Sequence, residues 1–207
     1  MVGGNLLSCV NCDFSHTGKN GYVATPPGSG VDLEAEGSQV VNTNFDNCRF
    51  YNNTGAGLVT DGGSVAYATF KGCSFIGTTS WSLYANNPYF TYFGCTIVGS
   101  CTAIYGDTDV PTKASRFVDC TFAMIESWSP NATIYGTRQL LDGANVSFVS
   151  CGFLCDDASH ALPNTAVTTR FTDCTMYGLG STSSNIYGQF YGKTVIFDTA
   201  TWNTTIG

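Results

Sequence analysis

The feature that most constrains the fold is a short motif that recurs along the whole chain. It consists of an aromatic residue, two further residues, a cysteine, one polar or small residue and a second large apolar residue, as in Phe45-Asp-Asn-Cys48-Arg-Phe50. Further copies lie at 70–75, 92–97, 117–122, 148–153 and 171–176. A variant copy begins at Cys9, and we place a last copy at 197–202, with Ala200 in the cysteine position. A period of roughly 20–50 residues indicates a solenoid, a propeller or another repeat architecture.

The cysteines of the motif predict a column of buried thiols rather than a disulfide framework. Seven of the ten cysteines share one motif position: Cys12, Cys48, Cys73, Cys95, Cys120, Cys151 and Cys174. Equivalent residues of stacked repeats lie about 4.8 Å apart, strand to strand. Buried free cysteine behaves as a small hydrophobic residue, so we expect these thiols to be reduced and to face the core. Cys101 and Cys155 lie outside this column.

Each repeat holds three short pieces in which apolar residues alternate, and corner residues such as Asp46-Asn47 separate the first two pieces. Asn, Asp and Gly tolerate the left-handed backbone that such corners need. Helical periodicity is nearly absent. Three strands per turn, each adding to its own parallel sheet, predict an all-β, right-handed parallel β-helix of about seven to eight turns, with little or no α-helix. We treat 1–207 as one domain and expect it to be a fragment of a longer protein.

The third piece of each repeat gives the predicted outward face. We align Leu58-Val-Thr-Asp61 with the pieces that begin at Val31, Leu83, Ile104, Ile134, Leu162 and Ile186. Alternate residues of a strand face the same way, so this alignment predicts two outward columns. The first column is Asp32, Val59, Tyr84, Tyr105, Tyr135, Pro163 and Tyr187. The second column is Glu34, Asp61, Asn86, Asp107, Thr137, Thr165 and Gln189.

Composition and charge exclude two classes of partner. The net charge is −7, with only eight Lys and Arg among 207 residues. A nucleic-acid-binding surface needs a basic stripe, so we expect no nucleic acid partner. A membrane-spanning helix needs about 18 or more consecutive apolar residues, and the sequence holds no such run.

The motif and its corners resemble the right-handed β-helix proteins of the pectate-lyase-like superfamily. The segment Pro26-Pro-Gly-Ser-Gly-Val31-Asp-Leu-Glu34 is similar to the approach and strand of their bacterial and phage members, which include tailspikes and polysaccharide lyases, hydrolases and epimerases. The resemblance implies a polysaccharide or oligosaccharide partner and an extracellular place, secreted or on a phage virion. Separately, neither end of the sequence supplies an amphipathic helix to cover a terminal turn, so we expect a homo-oligomer, a trimer being one form, or additional domains of the parent protein. The chain departs from alginate epimerases, because Leu33 rather than proline follows Asp32.

Three carboxylates are the candidate catalytic residues: Glu34, Asp61 and Asp32. Glu34 and Asp61 belong to adjacent turns and would start about 4.8 Å apart. That separation is near the roughly 5–5.5 Å of a retaining glycosidase pair. Two like charges this close raise the pKa of one of them, which yields an acid and a base. Hydrolase, lyase and epimerase chemistry stay open, as does a plain acidic surface. Together with Glu36, the three carboxylates also form a candidate Ca²⁺ site, because Ca²⁺ prefers several oxygen ligands.

Aromatic and polar residues beside these acids suit the apolar faces and hydroxyl groups of sugar rings. The candidate substrate-binding residues are Glu36, Tyr84, Asn86, Tyr105, Asp107, Tyr135, Trp128 and Arg138. Trp128 and Arg138 belong to the long turn between Cys120 and Cys151 and would supply an opposite wall and a cation. The predicted function is binding of an extracellular polysaccharide, with its depolymerisation as the catalytic form of that function. The alternative is a non-catalytic structural or adhesin rod.

Overall fold

The structure is a computed structural model, and it describes residues 7–17, 28–34, 40–61, 65–76, 81–86, 89–104, 115–124, 140–155, 164–165, 168–177 and 188–197. These residues form 22 strands and no helix. The strands belong to three parallel sheets, which we name sheets A, B and C. None of the described residues belongs to a helix with the length and apolar character needed to cross a membrane.

Sheets A and B contain eight strands each, and neighbouring strands follow one another in chain order. The strands of sheet A are Leu7–Val10, Val40–Asp46, Val65–Lys71, Thr91–Phe93, Arg116–Val118, Ser147–Val149, Arg170–Thr172 and Gln189–Tyr191. The strands of sheet B are Asp13–Ser15, Arg49–Tyr51, Ser74–Ile76, Thr96–Val98, Thr121–Met124, Gly152–Cys155, Thr175–Tyr177 and Val195–Phe197.

Sheet C completes the coil. Its six described strands are Val31–Glu34, Leu58–Asp61, Leu83–Ala85, Cys101–Ile104, Leu141–Ala144 and Asn164–Thr165. The chain passes from sheet A to sheet B to sheet C and returns to sheet A beside its previous strand. The predicted all-β parallel β-helix is therefore confirmed, and parallel crossovers of this kind are right-handed as a rule. Parts of the path lie outside the described residues, so the number of complete turns stays a prediction.

Two columns of stacked rings fill the interior between sheets A and B. The sheet A column is Phe45, Phe70, Tyr92, Phe117, Phe148, Phe171 and Phe190, with neighbouring ring centroids 4.4–5.3 Å apart. In sheet B, Phe14 stacks on Phe50, and Phe50 stacks on Phe75, at 5.0 and 4.8 Å. Rings of the two columns meet edge to face, an arrangement that aromatic quadrupoles favour. The motif's two large apolar positions are thus the inward positions of sheets A and B.

A left-handed residue turns the chain between sheets A and B in successive repeats. This residue immediately precedes the motif cysteine and has a φ of 50–60° in the set Asn11, Asn47, Gly72, Gly94, Asp119, Ser150 and Asp173. Its N–H donates to a carbonyl of the next turn, as from Asn47 to Lys71 at 2.8 Å. The expected Asn, Asp and Gly corners are confirmed.

The motif cysteines lie directly after these corners, and all ten cysteines of the chain are free. Six of the seven motif cysteines are buried, and Cys12 at the first described turn is half-buried. Each buried thiol also donates weakly to two backbone carbonyls, as Cys120 Sγ does to Tyr92 O at 3.4 Å and Val118 O at 3.3 Å. The thiols therefore fill space, as expected, and also contact corner carbonyls that lie in the interior.

The predicted last copy of the motif is wrong. Phe190 pairs with Phe171, and Val195 pairs with Thr175, so the last described repeat lies at 189–197 rather than at 197–202. Thr194 takes the cysteine position, and its hydroxyl donates to the carbonyl of Phe171 at 3.4 Å. This copy escaped notice because its corner has one extra residue and threonine replaces cysteine. Ala200 lies outside the described residues.

Candidate functional site

The outward face of sheet C carries the candidate acids. Leu33 and Thr60 are fully buried, so the positions on either side of them belong to the outward face. Glu34 pairs with Asp61, and Asp32 pairs with Val59. The predicted neighbour relation of Glu34 and Asp61 in adjacent strands is therefore confirmed at the level of backbone register, with strands about 4.8 Å apart. The side chain of Asp32 is exposed.

Backbone hydrogen bonds of the segment 28–30, which precedes the strand Val31–Glu34, hold that strand against the next turn. The N–H of Gly30 donates to Ala56 O at 3.0 Å, and the N–H of Gly55 donates to Gly28 O at 2.9 Å. Gly30 has no room for a side chain, because a Cβ there would meet Asn53 Nδ2 at 2.5 Å and the Gly57 carbonyl oxygen at 2.6 Å. Glycine at position 30 thus allows the strand Val31–Glu34 to pack closely on the next turn.

Asn53 joins three parts of this region, although it is only 1% exposed. Its Oδ1 accepts hydrogen bonds from Thr17 N at 3.2 Å and Thr17 Oγ1 at 2.9 Å. Its Nδ2 donates to Phe14 O at 3.0 Å. Asn53 also lies against Gly30. It therefore links the position of the strand Val31–Glu34 to that of the first described turn.

Aromatic side chains lie beside the acids on the same face. Tyr84 pairs with Val59, which in turn pairs with Asp32. Tyr84 is half-buried, and its ring centroid is 6.5 Å from that of Trp81, with 59° between the planes. Asn86 follows the same strand and is half-buried, with its N–H donating to Thr60 O at 3.0 Å. Tyr84 and Asn86 therefore lie where the sequence predicts them, and Trp81 is an aromatic neighbour that it missed.

The predicted columns fail beyond Asn86. The residue opposite Tyr84 is Thr102 rather than Tyr105, and the residue opposite Thr102 is Asp142 rather than Tyr135. In the acid column, the same register places Ile104 rather than Asp107 beside Asn86, and the next strand continues the column with Ala144. Two further residues of that predicted column lie elsewhere: Thr165 is a buried residue of sheet C and Gln189 belongs to sheet A.

The register error has a physical cause. The alignment followed the repeated pattern of an apolar residue, tyrosine and glycine, as in Ile104-Tyr-Gly and Ile134-Tyr-Gly. The buried position opposite Leu83 is held instead by Cys101, and the next by Leu141. Packing into the interior decides the register, and a cysteine fills that position as well as a leucine does.

Asp142 and Asn164 are polar residues that the sequence reasoning missed. Asp142 pairs with Thr102 on one side and with Asn164 on the other. Asp142 and Asn164 therefore lie in the same outward column as Asp32 and Tyr84. The signal available in the sequence was Leu141-Asp-Gly143, in which a polar residue stands between a large apolar and a small residue, much as tyrosine does in Leu83-Tyr-Ala85.

Six candidate residues lie outside the described part of the chain: Glu36, Tyr105, Asp107, Trp128, Tyr135 and Arg138. Their role in binding stays a prediction, although the pairing of sheet C overturns the column predicted for Tyr105 and Tyr135. Among the residues that the structure describes, no group of three or more His, Cys, Asp or Glu side chains is arranged to hold a metal ion. Because Glu36 lies outside that set, the calcium hypothesis also stays a prediction.

The comparisons with known proteins add no family to this description. No protein-family model, no curated protein and no solved structure matches the chain.

Proposed function

We propose that the outward face of sheet C binds an extracellular polysaccharide and that Glu34 and Asp61 act on its glycosidic bonds. The observation that carries this proposal is the pairing of Glu34 with Asp61 in adjacent strands. Both residues lie two positions along their strands from the column that holds Asp32 and Tyr84. Carboxylates would accept hydrogen bonds from sugar hydroxyl groups, and the Tyr84 and Trp81 rings would contact the apolar faces of the sugars.

The chemistry proposed for the pair follows from its spacing. Two carboxylates carried on strands about 4.8 Å apart can take the two complementary roles that glycoside hydrolysis needs. The protonated group would donate to the glycosidic oxygen, and the ionised group would attack the anomeric carbon or activate water. A lyase or an epimerase would instead use the acids around a sugar carboxylate, and product analysis distinguishes these reactions.

The test combines binding and turnover measurements. A panel of neutral and acidic polysaccharides is incubated with the protein, and reducing ends, unsaturated products and binding heat are measured. Glu34→Gln and Asp61→Asn should each abolish turnover while shifting the thermal midpoint by a few degrees at most. Asp119→Asn is the matched control, because Asp119 is an exposed carboxylate at a corner where asparagine also occurs, at Asn47. The control should retain full activity.

One observation favours the alternative, a non-catalytic structural or adhesin rod. The ring column from Phe45 to Phe190 runs through successive turns and would make the coil stiff along its axis. A rod predicts no turnover on any polysaccharide of the panel. It also predicts that Glu34→Gln and Asp61→Asn keep full binding, and this result would overturn the assignment of the site to sheet C.

A further inference from the structure

The corner at which the chain enters sheet A carries two tyrosines in an unusual backbone conformation. The residues with positive φ at this corner are Asn42, Tyr67, Tyr89 and Asn145, with φ between 57° and 61°. The pairing of sheet A places them at equivalent positions of their turns. Asparagine adopts this conformation readily, whereas a bulky residue with positive φ is an outlier. Strained residues of this kind cluster at functional sites.

The two tyrosine rings form an exposed aromatic pair. Their centroids are 5.1 Å apart, and their planes differ by 20°. Tyr67 is 58% exposed and Tyr89 is half-buried. On the other side of Tyr67 the equivalent position holds the exposed Asn42, which has no ring to stack on Tyr67. A solvent-exposed aromatic face of this kind suits the apolar face of a pyranose ring.

Sheet A also carries the cations that sheet C lacks. Lys71 and Arg116 are exposed on its outward face, and Arg116 pairs with Thr91, two residues after Tyr89. The one ion pair seen within the described residues joins Arg49 and Asp13. Lys71 pairs with Asp46, which offsets its charge, whereas Arg116 pairs with Thr91 and Ser147 and has no acid opposite it. The outward positions of sheet C instead hold Asp32, Glu34, Asp61 and Asp142. An anionic ligand would therefore meet like charge at the positions of sheet C and opposite charge at Arg116 of sheet A.

We propose that this part of sheet A is a second binding site, separate from the sheet C face, and that it takes an anionic glycan. A sugar ring stacks on Tyr67, and the following units run along the turns past Tyr89. Their carboxylate or sulfate groups contact Arg116 and Lys71. The hydroxyl groups of Thr69 and Thr91, which pair with each other between the two tyrosines and the cations, are placed to bind sugar hydroxyls.

The test measures binding of oligosaccharides by titration calorimetry. The probes are hexamers of galacturonic acid, alginate oligomers and chondroitin sulfate oligomers, with methyl-esterified or desulfated forms as neutral counterparts. At least one anionic probe should bind at least tenfold more tightly than its neutral form, and raising the salt concentration should weaken it, because salt screens exposed charges. Absence of binding by every anionic probe would overturn the proposal.

Matched variants separate the site from the rest of the surface. Tyr67→Asn introduces the residue that the equivalent position already has at Asn42 and Asn145, so the thermal midpoint should not fall while affinity drops at least fivefold. Tyr177→Asn is the control, since Tyr177 is 60% exposed but lies on sheet B. Arg116→Gln should remove the preference for the anionic form, and Lys193→Gln should not.

The same variants show whether a negative result rules out the second site on sheet A or the polysaccharide site proposed on sheet C. Glu34→Gln should leave the binding of the anionic probe unchanged. If Tyr67→Asn lowers the thermal midpoint and leaves affinity intact, the tyrosine pair has only a structural role and the second site is wrong. If Glu34→Gln alone abolishes binding of the anionic probe, that probe binds at sheet C and the second site is again wrong.

Discussion

At the scale of single residues, Tyr92 is the anomaly of the sheet A ring column. Its ring stacks between Phe70 and Phe117, with centroids 4.7 and 4.4 Å away, and it is fully buried. Among the described residues its hydroxyl has no hydrogen-bond partner. A buried polar group without a partner loses its hydration and receives nothing in exchange.

Tyr92→Phe should therefore raise the free energy of unfolding, by about 1 kcal/mol. The substitution removes the hydroxyl and keeps the stacked ring, and phenylalanine already occupies the other aromatic positions of this column. Guanidinium unfolding followed by circular dichroism measures the change. Phe117→Tyr is the inverse control and should destabilise the protein. A loss of stability in Tyr92→Phe would mean that the hydroxyl has a partner and that the explanation is wrong.

At the scale of elements, sheets A and B were predictable from the sequence and sheet C was not. Both large positions of the motif face the interior, and apart from Cys9 they hold aromatic or large aliphatic residues, so their spacing predicted the register of both sheets in every repeat but the last. The inward positions of sheet C are less uniform, with Leu83, Cys101 and Leu141 in equivalent places. The alignment of sheet C followed the repeated tyrosine-glycine pair instead of the buried positions, and it therefore misplaced the columns beyond Asn86.

The candidate site was predictable only where this register was right. Asp32, Glu34, Asp61 and Tyr84 occupy the relations expected of them. The strand Val31–Glu34 alternates apolar and polar residues, and Leu58 and Leu83 give the next two strands the same large apolar start. The corner with Tyr67 and Tyr89 was missed, since a positive φ at tyrosine leaves no mark in a sequence.

Gly30→Ala tests how tightly the acidic strand is held. The new Cβ would meet Asn53 Nδ2 and the carbonyl oxygen of Gly57 well inside contact distance, so the strand Val31–Glu34 must shift. We expect a loss of about 1–3 kcal/mol of stability, typical of overpacking, together with weaker glycan binding at sheet C.

Gly28→Ala is the control for that substitution, because the nearest atoms to its Cβ would be 3.4 Å away, on Thr17. Its stability should stay within about 0.5 kcal/mol of the parent, as for most exposed positions. Equal stability of the Gly30→Ala and Gly28→Ala variants in urea unfolding would show that the segment 28–30 is not close-packed around Gly30.

At the scale of the whole molecule, the coil separates two kinds of outer surface from one apolar interior. Sheet C presents acids, sheet A presents cations and exposed rings, and the interior holds stacked aromatics and a thiol column. Burial in that interior raises the pKa of the Tyr92 hydroxyl well above its ordinary 10.0 and raises that of the Cys48 thiol.

These shifts predict that the protein loses stability in alkaline solution. Below the ordinary thiol pKa of 9.0 the groups are protonated in both the folded and the unfolded chain, so their contribution is fully present. Above it the unfolded chain releases protons that the folded chain retains, and unfolding becomes more favourable as pH rises. The guanidinium midpoint, measured with a reductant present, should therefore be steady from about pH 7 to 8.5 and fall by about pH 10. Above about pH 10 the fall should be smaller in Tyr92→Phe than in the parent, each compared with its own value at neutral pH, because the variant lacks the buried hydroxyl whose pKa is raised. A midpoint unchanged up to about pH 11 would show that these groups ionise as readily in the folded protein as in the unfolded chain.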